Sequence, residues 1–276
     1  MSVDHYENFP VASVLCPPAL RPAVVAIYHF ARTADDIADE GELTAAARHE
    51  ALAAYRADLA AVVQRQAPST RWTPVFARLA AAIERYALPP VWLHKLLDAF
   101  VQDVDNPVYA DRGQVLDYCR RSADPVGRLL LHLYGVNDAD SLRRADAVCT
   151  GLQLANFWQD LGLDASRGRV YLPRDELAAA GITIEDVLAR HDSPALRALL
   201  RDLCTWAQEL LEQGIPLARR VPGRAGWELR LVVQGGLRVL EKIGRMNHAT
   251  MLSRPKLGAA DLPVLLWRAA TMRGAR

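Results

Sequence analysis

Residues 28–41 read YHFARTADDIADEG, an apolar segment that carries Asp35, Asp36 and Asp39 behind Tyr28 and Arg32. Helical spacings of three, four and seven residues put Tyr28, Arg32, Asp35 and Asp39 on a single stripe. Two carboxylates four residues apart on a helix repel each other by roughly 0.2–0.5 kcal/mol. The stripe is therefore either a solvated acidic helix end or half of a cation site.

A second stretch answers the first. Residues 153–164 read QLANFWQDLGLD, in which Gln153, Asn156, Asp160 and Asp164 recur at intervals of three, four and four and share one helical face. Leu152, Leu154, Phe157, Trp158, Leu161 and Leu163 surround them, so the polar stripe points into a cavity rather than into solvent. Two helices presenting carboxylates and amides to one cavity offer hard oxygen ligands, which suit Mg²⁺ with phosphate oxygens and waters completing the octahedron. The alternative is a buried carboxylate network satisfied by arginines. Zinc prefers His or Cys, which both stripes lack. Arg167, Arg169 and Tyr171 follow directly, where they would bind diphosphate or close the site.

The rest of the chain sets the frame. Its 276 residues are 51% hydrophobic, ample for a buried core, and 33 basic against 32 acidic residues leave no basic field to attract nucleic acid. Cys16, Cys119, Cys149 and Cys204 are scattered without a CxxC pair and read as reduced small hydrophobes of a cytoplasmic protein. The stretch MSVDHYENFP lacks the pattern of a signal peptide, and no uncharged apolar run approaches the roughly 18 residues that span a bilayer. Strand-like alternation is almost absent, RVYLP at 169–173 being the nearest candidate. Helical periodicity predicts an all-α fold with helices near 20–40, 44–66, 72–87, 89–104, 112–121, 125–135, 139–164, 194–219, 225–248 and 259–272, broken at Pro and Gly clusters. Without repeats or a long linker, residues 1–276 are expected to form one domain, with a ligand site between helices.

DDIAD and NFWQDLGLD, with Tyr28 and Arg32 before the first and RGRVYLP after the second, resemble the squalene/phytoene synthase family of head-to-head prenyl transferases. YCRRSADPVG at 118–127 and HYENFP at 5–10 are similar to that family's tyrosine-containing helix and its N-terminal segment. The resemblance implies an isoprenoid synthase helical bundle whose two acidic helices face each other across a deep apolar cavity. It implies three Mg²⁺ ions bound with diphosphate, with Asp35, Asp39, Asn156, Asp160 and Asp164 as ligands; Asp36 stands outside that set. Arg32, Arg167 and Arg169 would contact diphosphate, and Tyr28, Tyr118 and Gln153 would line the reacting centre. His5, Phe9 and Phe157 would border the substrate, with plain core packing the alternative for the two phenylalanines.

Departures from the family pattern bear on the reaction. Gln159 stands where members usually carry Arg, CRRSADPVG replaces a small apolar run, and Gly235 and Gly236 fall near a usual tyrosine. These departures resemble most closely a bacterial, hopanoid-pathway branch, which ionises presqualene diphosphate and lets water capture the cation as hydroxysqualene. No NADPH is then expected. The alternatives are condensation of two prenyl diphosphates such as farnesyl diphosphate, and a non-catalytic helical partner whose acids are relics. Ser122, four residues after Tyr118, either holds the capturing water or caps the helix that follows. Such apolar substrates suggest transient contact with the inner membrane and hand-over between neighbouring pathway enzymes. LLWRAATMRGAR, with Arg268, Arg273 and Arg276, is read as either an amphipathic surface helix or an ordinary core helix.

Overall fold

The computed structural model describes residues 15–272, and among them it contains thirteen α-helices and no strand. They are α1 (Arg21–Asp39), α2 (Ala45–Val63), α3 (Thr73–Tyr86), α4 (Pro90–Asp105), α5 (Arg112–Ser122), α6 (Asp124–Leu133) and α7 (Ala139–Ser166). After these come α8 (Arg174–Ala179), α9 (Ile184–Leu188), α10 (Pro194–Gln213), α11 (Ile215–Arg220), α12 (Gly223–Arg245) and α13 (Leu262–Thr271). The all-α expectation holds, and local chemistry explains most boundaries. Thr44, Asp111, Asp138 and Ser193 each accept a hydrogen bond from a first-turn N–H of the helix they precede, satisfying a donor that has no partner within the helix.

Two boundaries depart from the periodicity. The helix expected near 194–219 is broken at Gly214, because Pro216 lacks an N–H, crowds the turn before it and starts a new helix at once; a Cβ at 214 would also run into Val148 of α7. The short helices α8 and α9 lack the length for a clear apolar period; a reciprocal cap between Thr183 and Asp186 starts α9. RVYLP is irregular rather than extended into a sheet, and Arg174 N–H at its end donates to the Tyr109 carbonyl at 2.9 Å.

Two apolar clusters flank a central space. One gathers α1 to α4 around Phe30, Tyr55 and Phe76, whose rings stack and tilt against one another. The other is built on α7, which packs against α5, α6, α10 and α12 and is buried nearly all round. Gly236 lets α12 come close: a Cβ there would lie 2.8 Å from Leu152 Cδ2 of α7 and 3.0 Å from Leu211 Cδ1 of α10. Between the clusters, α1, α5, α6, α7, α12 and α13 enclose a cavity of 1130 Å³. No helix among the described residues is long and apolar enough to cross a membrane, and all four cysteines are free.

Candidate active site

The cavity exceeds the roughly 300–1,000 Å³ of ordinary small-molecule sites, and its walls are mostly apolar. Polar groups enter from few places: Tyr28, Arg32 and Asp35 from α1, Ser122 from the end of α5, Tyr134 just after α6, Gln153 and Asn156 from α7, and Glu228 from α12. On α7 the residues Gln153, Asn156, Asp160 and Asp164 are half-buried on a helix whose other faces are covered. The second stripe does face inward.

Arginines hold the acids of both stripes. Arg169, just beyond α7, donates from Nη1 to Asp39 Oδ2 at 2.7 Å and also bonds Asp39 Oδ1. Arg254 bonds Asp160, its Nη2 lying 3.1 Å from Oδ2, and Asn156 Nδ2 donates to the same oxygen at 2.9 Å. Arg32 pairs within its own helix with Asp35 at 2.8 Å and Asp36 at 2.7 Å, and with Glu40 at 2.6 Å. Burial and then the Asp39 charge push the Asp35 carboxyl up to about 6, against the pull of Arg32. Burial and then Asp160 push Asp164 up to about 7, against Arg169, Arg167 and Arg254. The charge of Arg169 acts on Asp35 and Asp164 alike, so the two stripes, some 120 residues apart in sequence, meet around this one guanidinium.

Two further residues belong to this end and were not singled out from the sequence. Asp103 of α4 is pushed up to about 7, first by burial, and accepts a hydrogen bond from the Tyr118 hydroxyl at 3.0 Å; Asp39 and Asp35 also act on it. Its signal was an acid on the buried side of an apolar helix, masked by the neighbouring Asp105. Arg254 lies in the break SRPKLG, and nothing local ties it to an acid 94 residues earlier. Gln159, fully buried, donates from Nε2 to the Pro255 carbonyl at 2.6 Å and so fastens the Arg254 segment onto α7.

The remaining expected site residues divide. Tyr118 sits in a ring cluster with Tyr109, Tyr171 and Phe157, the last stacked on Tyr171 at 3.9 Å and 7°. Phe157 thus packs against protein and is not among the residues lining the cavity, which favours core packing over substrate contact. Arg167 ends α7 exposed, acting on Asp164 only through its charge. His5 and Phe9 lie outside the described residues, as do Arg273 and Arg276. Helix α13 buries Leu265 and Ala269, turns Arg268 onto Glu241, and exposes Leu262, Leu266 and Trp267. It is a packed helix with an apolar outer face rather than a basic one.

The donors fit a hard divalent cation in type, being carboxylates and an amide. Among the described residues, however, no three His, Cys, Asp or Glu side chains are close enough to hold a metal alone. A bridging oxygen anion such as a phosphate would join the two stripes.

A large apolar cavity, with two acid-bearing helices meeting beside it around an arginine, is the arrangement of the class of helical enzymes that work on prenyl diphosphates. Residues 3–261 match the squalene/phytoene synthase family, and the chain belongs to it. It is 40% identical over 228 residues to a hydroxysqualene synthase of Rhodopseudomonas palustris, covering 82% of this chain and 75% of that one. A hydroxysqualene synthase of Sinorhizobium fredii is 35% identical over 94% of this chain and 86% of its own length. The solved squalene synthase HpnC of Alicyclobacillus acidocaldarius superposes with a TM-score of 0.80 at 36% identity, covering 88% of this chain and 90% of that one.

Proposed function

We propose that this enzyme converts presqualene diphosphate and water to hydroxysqualene and diphosphate in one domain, with Mg²⁺ and without NADPH. The observation that carries the reading is the meeting of two acidic stripes around Arg169, with Asp35 of one and Asn156 of the other lining a single apolar cavity. The hydroxysqualene synthases named above, 35–40% identical to this chain, support the choice of reaction within the family.

Asp35, Asp39, Asn156, Asp160 and Asp164 would hold the metal ions with the diphosphate. Mg²⁺ so held neutralises charge that builds on the leaving diphosphate. Arg169 spends two donors on Asp39 and keeps others for phosphate oxygens; Arg254 and Arg32 add fixed positive charge nearby. Each arginine sits beside an acid that would hold the metal, and its remaining N–H groups would serve phosphate oxygens. The C–O bond to diphosphate breaks with its electron pair leaving on oxygen. The apolar walls keep bulk water from the carbocation, and the ring of Tyr28 on the cavity wall favours it, whereas Tyr118, packed among Tyr109, Phe157 and Tyr171, does not line the cavity. Oxygen from a single water then forms the new C–O bond, and its proton passes to the released diphosphate.

The exposed apolar face of α13 supports transient contact with a membrane surface for such greasy ligands. Leu266→Glu with Trp267→Glu is expected to abolish co-sedimentation with anionic vesicles; unchanged binding removes that contact. For the reaction itself, the pure protein is incubated with presqualene diphosphate and Mg²⁺ without NADPH, and separately with farnesyl diphosphate. Hydroxysqualene from the first alone is the expected result. Turnover of farnesyl diphosphate to presqualene diphosphate, squalene or phytoene would overturn it in favour of condensation, and turnover of neither substrate would point to a non-catalytic chain.

A further inference from the structure

An enzyme that protects a carbocation and then delivers one water to it must fix where that water stands. Ser122 is the last residue of α5, on the wall of the cavity. Its hydroxyl is buried and has no hydrogen-bond partner among the described residues. Serine hydroxyls in helices usually bond the carbonyl one turn back or cap a following helix, and this one does neither. The N-cap of α6 is Ala123, with no side-chain capping bond, so the capping role open to Ser122 on sequence is not taken. Asp124, the next polar side chain, is engaged: it accepts from Thr150 Oγ1 at 2.8 Å and is buried. On the facing helix α7, Gln153 lines the same cavity one turn before Asn156.

Several other polar groups on the wall are already committed. Arg32 and Asp35 pair with each other, Asn156 bonds Asp160, Tyr134 donates to Glu228, and Cys16 donates to the Pro17 carbonyl. A buried hydroxyl without a protein partner is costly unless a ligand or water satisfies it. Ser122 meets that condition on the cavity wall.

We infer that Ser122 positions the water that captures the carbocation, with the Gln153 amide across the cavity as its second anchor. The inference rests on the reaction proposed above. The hydroxyl accepts or donates one hydrogen bond to the water and leaves a lone pair of the water oxygen aimed at the cation. The new C–O bond forms from that pair, and the proton departs to diphosphate as in the parent reaction. Ser122 therefore controls which product forms after ionisation, by competing with loss of a proton from the cation to give a hydrocarbon.

The test measures hydroxysqualene per diphosphate released from presqualene diphosphate, by gas chromatography with a phosphate assay, in H₂¹⁸O. The parent enzyme is expected to give hydroxysqualene carrying the label; if it makes none, the proposed reaction fails, whatever Ser122 does. Given a competent parent, Ser122→Ala is expected to lower the ratio about two- to tenfold, the worth of one neutral hydrogen bond, with elimination products or isomeric alcohols replacing the loss. Ser122→Thr, which keeps a hydroxyl, is expected to restore the ratio. An unchanged ratio in Ser122→Ala overturns the inference, as does equal loss in Ser122→Thr with both variants folded. Should Ser122→Ala fail to fold, Ser122→Cys takes its place, since the thiol keeps the volume but donates weakly.

Discussion

The two acidic helices carry similar chemistry and are held in different ways. On α1 most of the charges are balanced locally: Arg32 sits one turn from Asp35 and Asp36 and reaches Glu40, and Asp39 at the helix end takes its partner, Arg169, from elsewhere in the chain. On α7 the position one turn before Asp160 is Asn156, an amide, and the balancing charge comes from Arg254, 94 residues away. Helix α1 buries one face only, whereas α7 is enclosed on nearly all sides. A locally neutralised motif can form early and stay at an edge. A motif in the middle of a bundle needs its counter-charge delivered by the tertiary fold, and so depends on a distant segment being in place.

The largest effect expected is on turnover, and it breaks the comparison along a second axis. Asp39→Asn and Asp164→Asn should each lower turnover at least about a hundredfold, because both remove charge that stabilises the leaving group's partners. Their stabilities should diverge. Asp39→Asn strands Arg169, 20% exposed, and should lower the melting temperature, at a cost of about 3 kcal/mol. Asp164→Asn relieves a buried carboxyl pushed up by Asp160 and should melt at the same temperature or higher. Simple repulsion within each stripe predicts relief at both positions; parallel shifts in calorimetry would mean that Arg169 is not a structural partner of Asp39.

The next effect sharpens local against distant neutralisation. Arg254→Ala should destabilise more than Arg32→Ala, since Asp160 is only 14% exposed and loses its arginine, while Asp35 keeps the field of Arg169. Arg32→Lys and Arg254→Lys should both lose about tenfold or more in kcat/KM, because an ammonium cannot reproduce the guanidinium fork on phosphate. Equal rates for either lysine variant would reduce that arginine to a counter-ion of its helix.

A pH effect should follow from the raised carboxyls. Asp35 at about 6, and Asp103 and Asp164 at about 7, lie above their ordinary value of 3.8, so folding takes up protons between these limits. Their contribution to stability is complete below about pH 4 and is lost as pH rises through 6 to 7. Metal-free protein should therefore melt lower at pH 8 than at pH 6, and Asp164→Asn should flatten the slope. A slope of opposite sign would show that these acids are better stabilised as anions than their burial implies.

The smallest effect concerns Gln159. Gln159→Leu removes the bond to the Pro255 carbonyl, and should cost about 1 kcal/mol while raising KM a few-fold as Arg254 loosens. A fall in kcat alone, with KM unchanged, would remove Gln159 from the positioning of Arg254.

What the sequence determined is what local periodicity carries. Apolar residues at helical spacing located the long helices, and carboxylates three and four apart on two of them pointed to a shared cavity, since such a stripe needs only its own helix to be defined. Short α8 and α9 escaped because five or six residues complete no amphipathic period. The break at Gly214 had a local signal in Pro216, hidden by apolar residues that continue across it from α10 into α11. The tertiary structure alone decided which charges meet. Arg169 joins Asp39 across 130 residues, Arg254 joins Asp160 across 94, and Asp103 enters beside Tyr118. It also decided that Ser122 is no cap and that Phe157 stacks on Tyr171. Electrostatic and hydrogen-bond energies depend on separation in space and on burial, and a chain's local pattern fixes those only within a turn or two of helix.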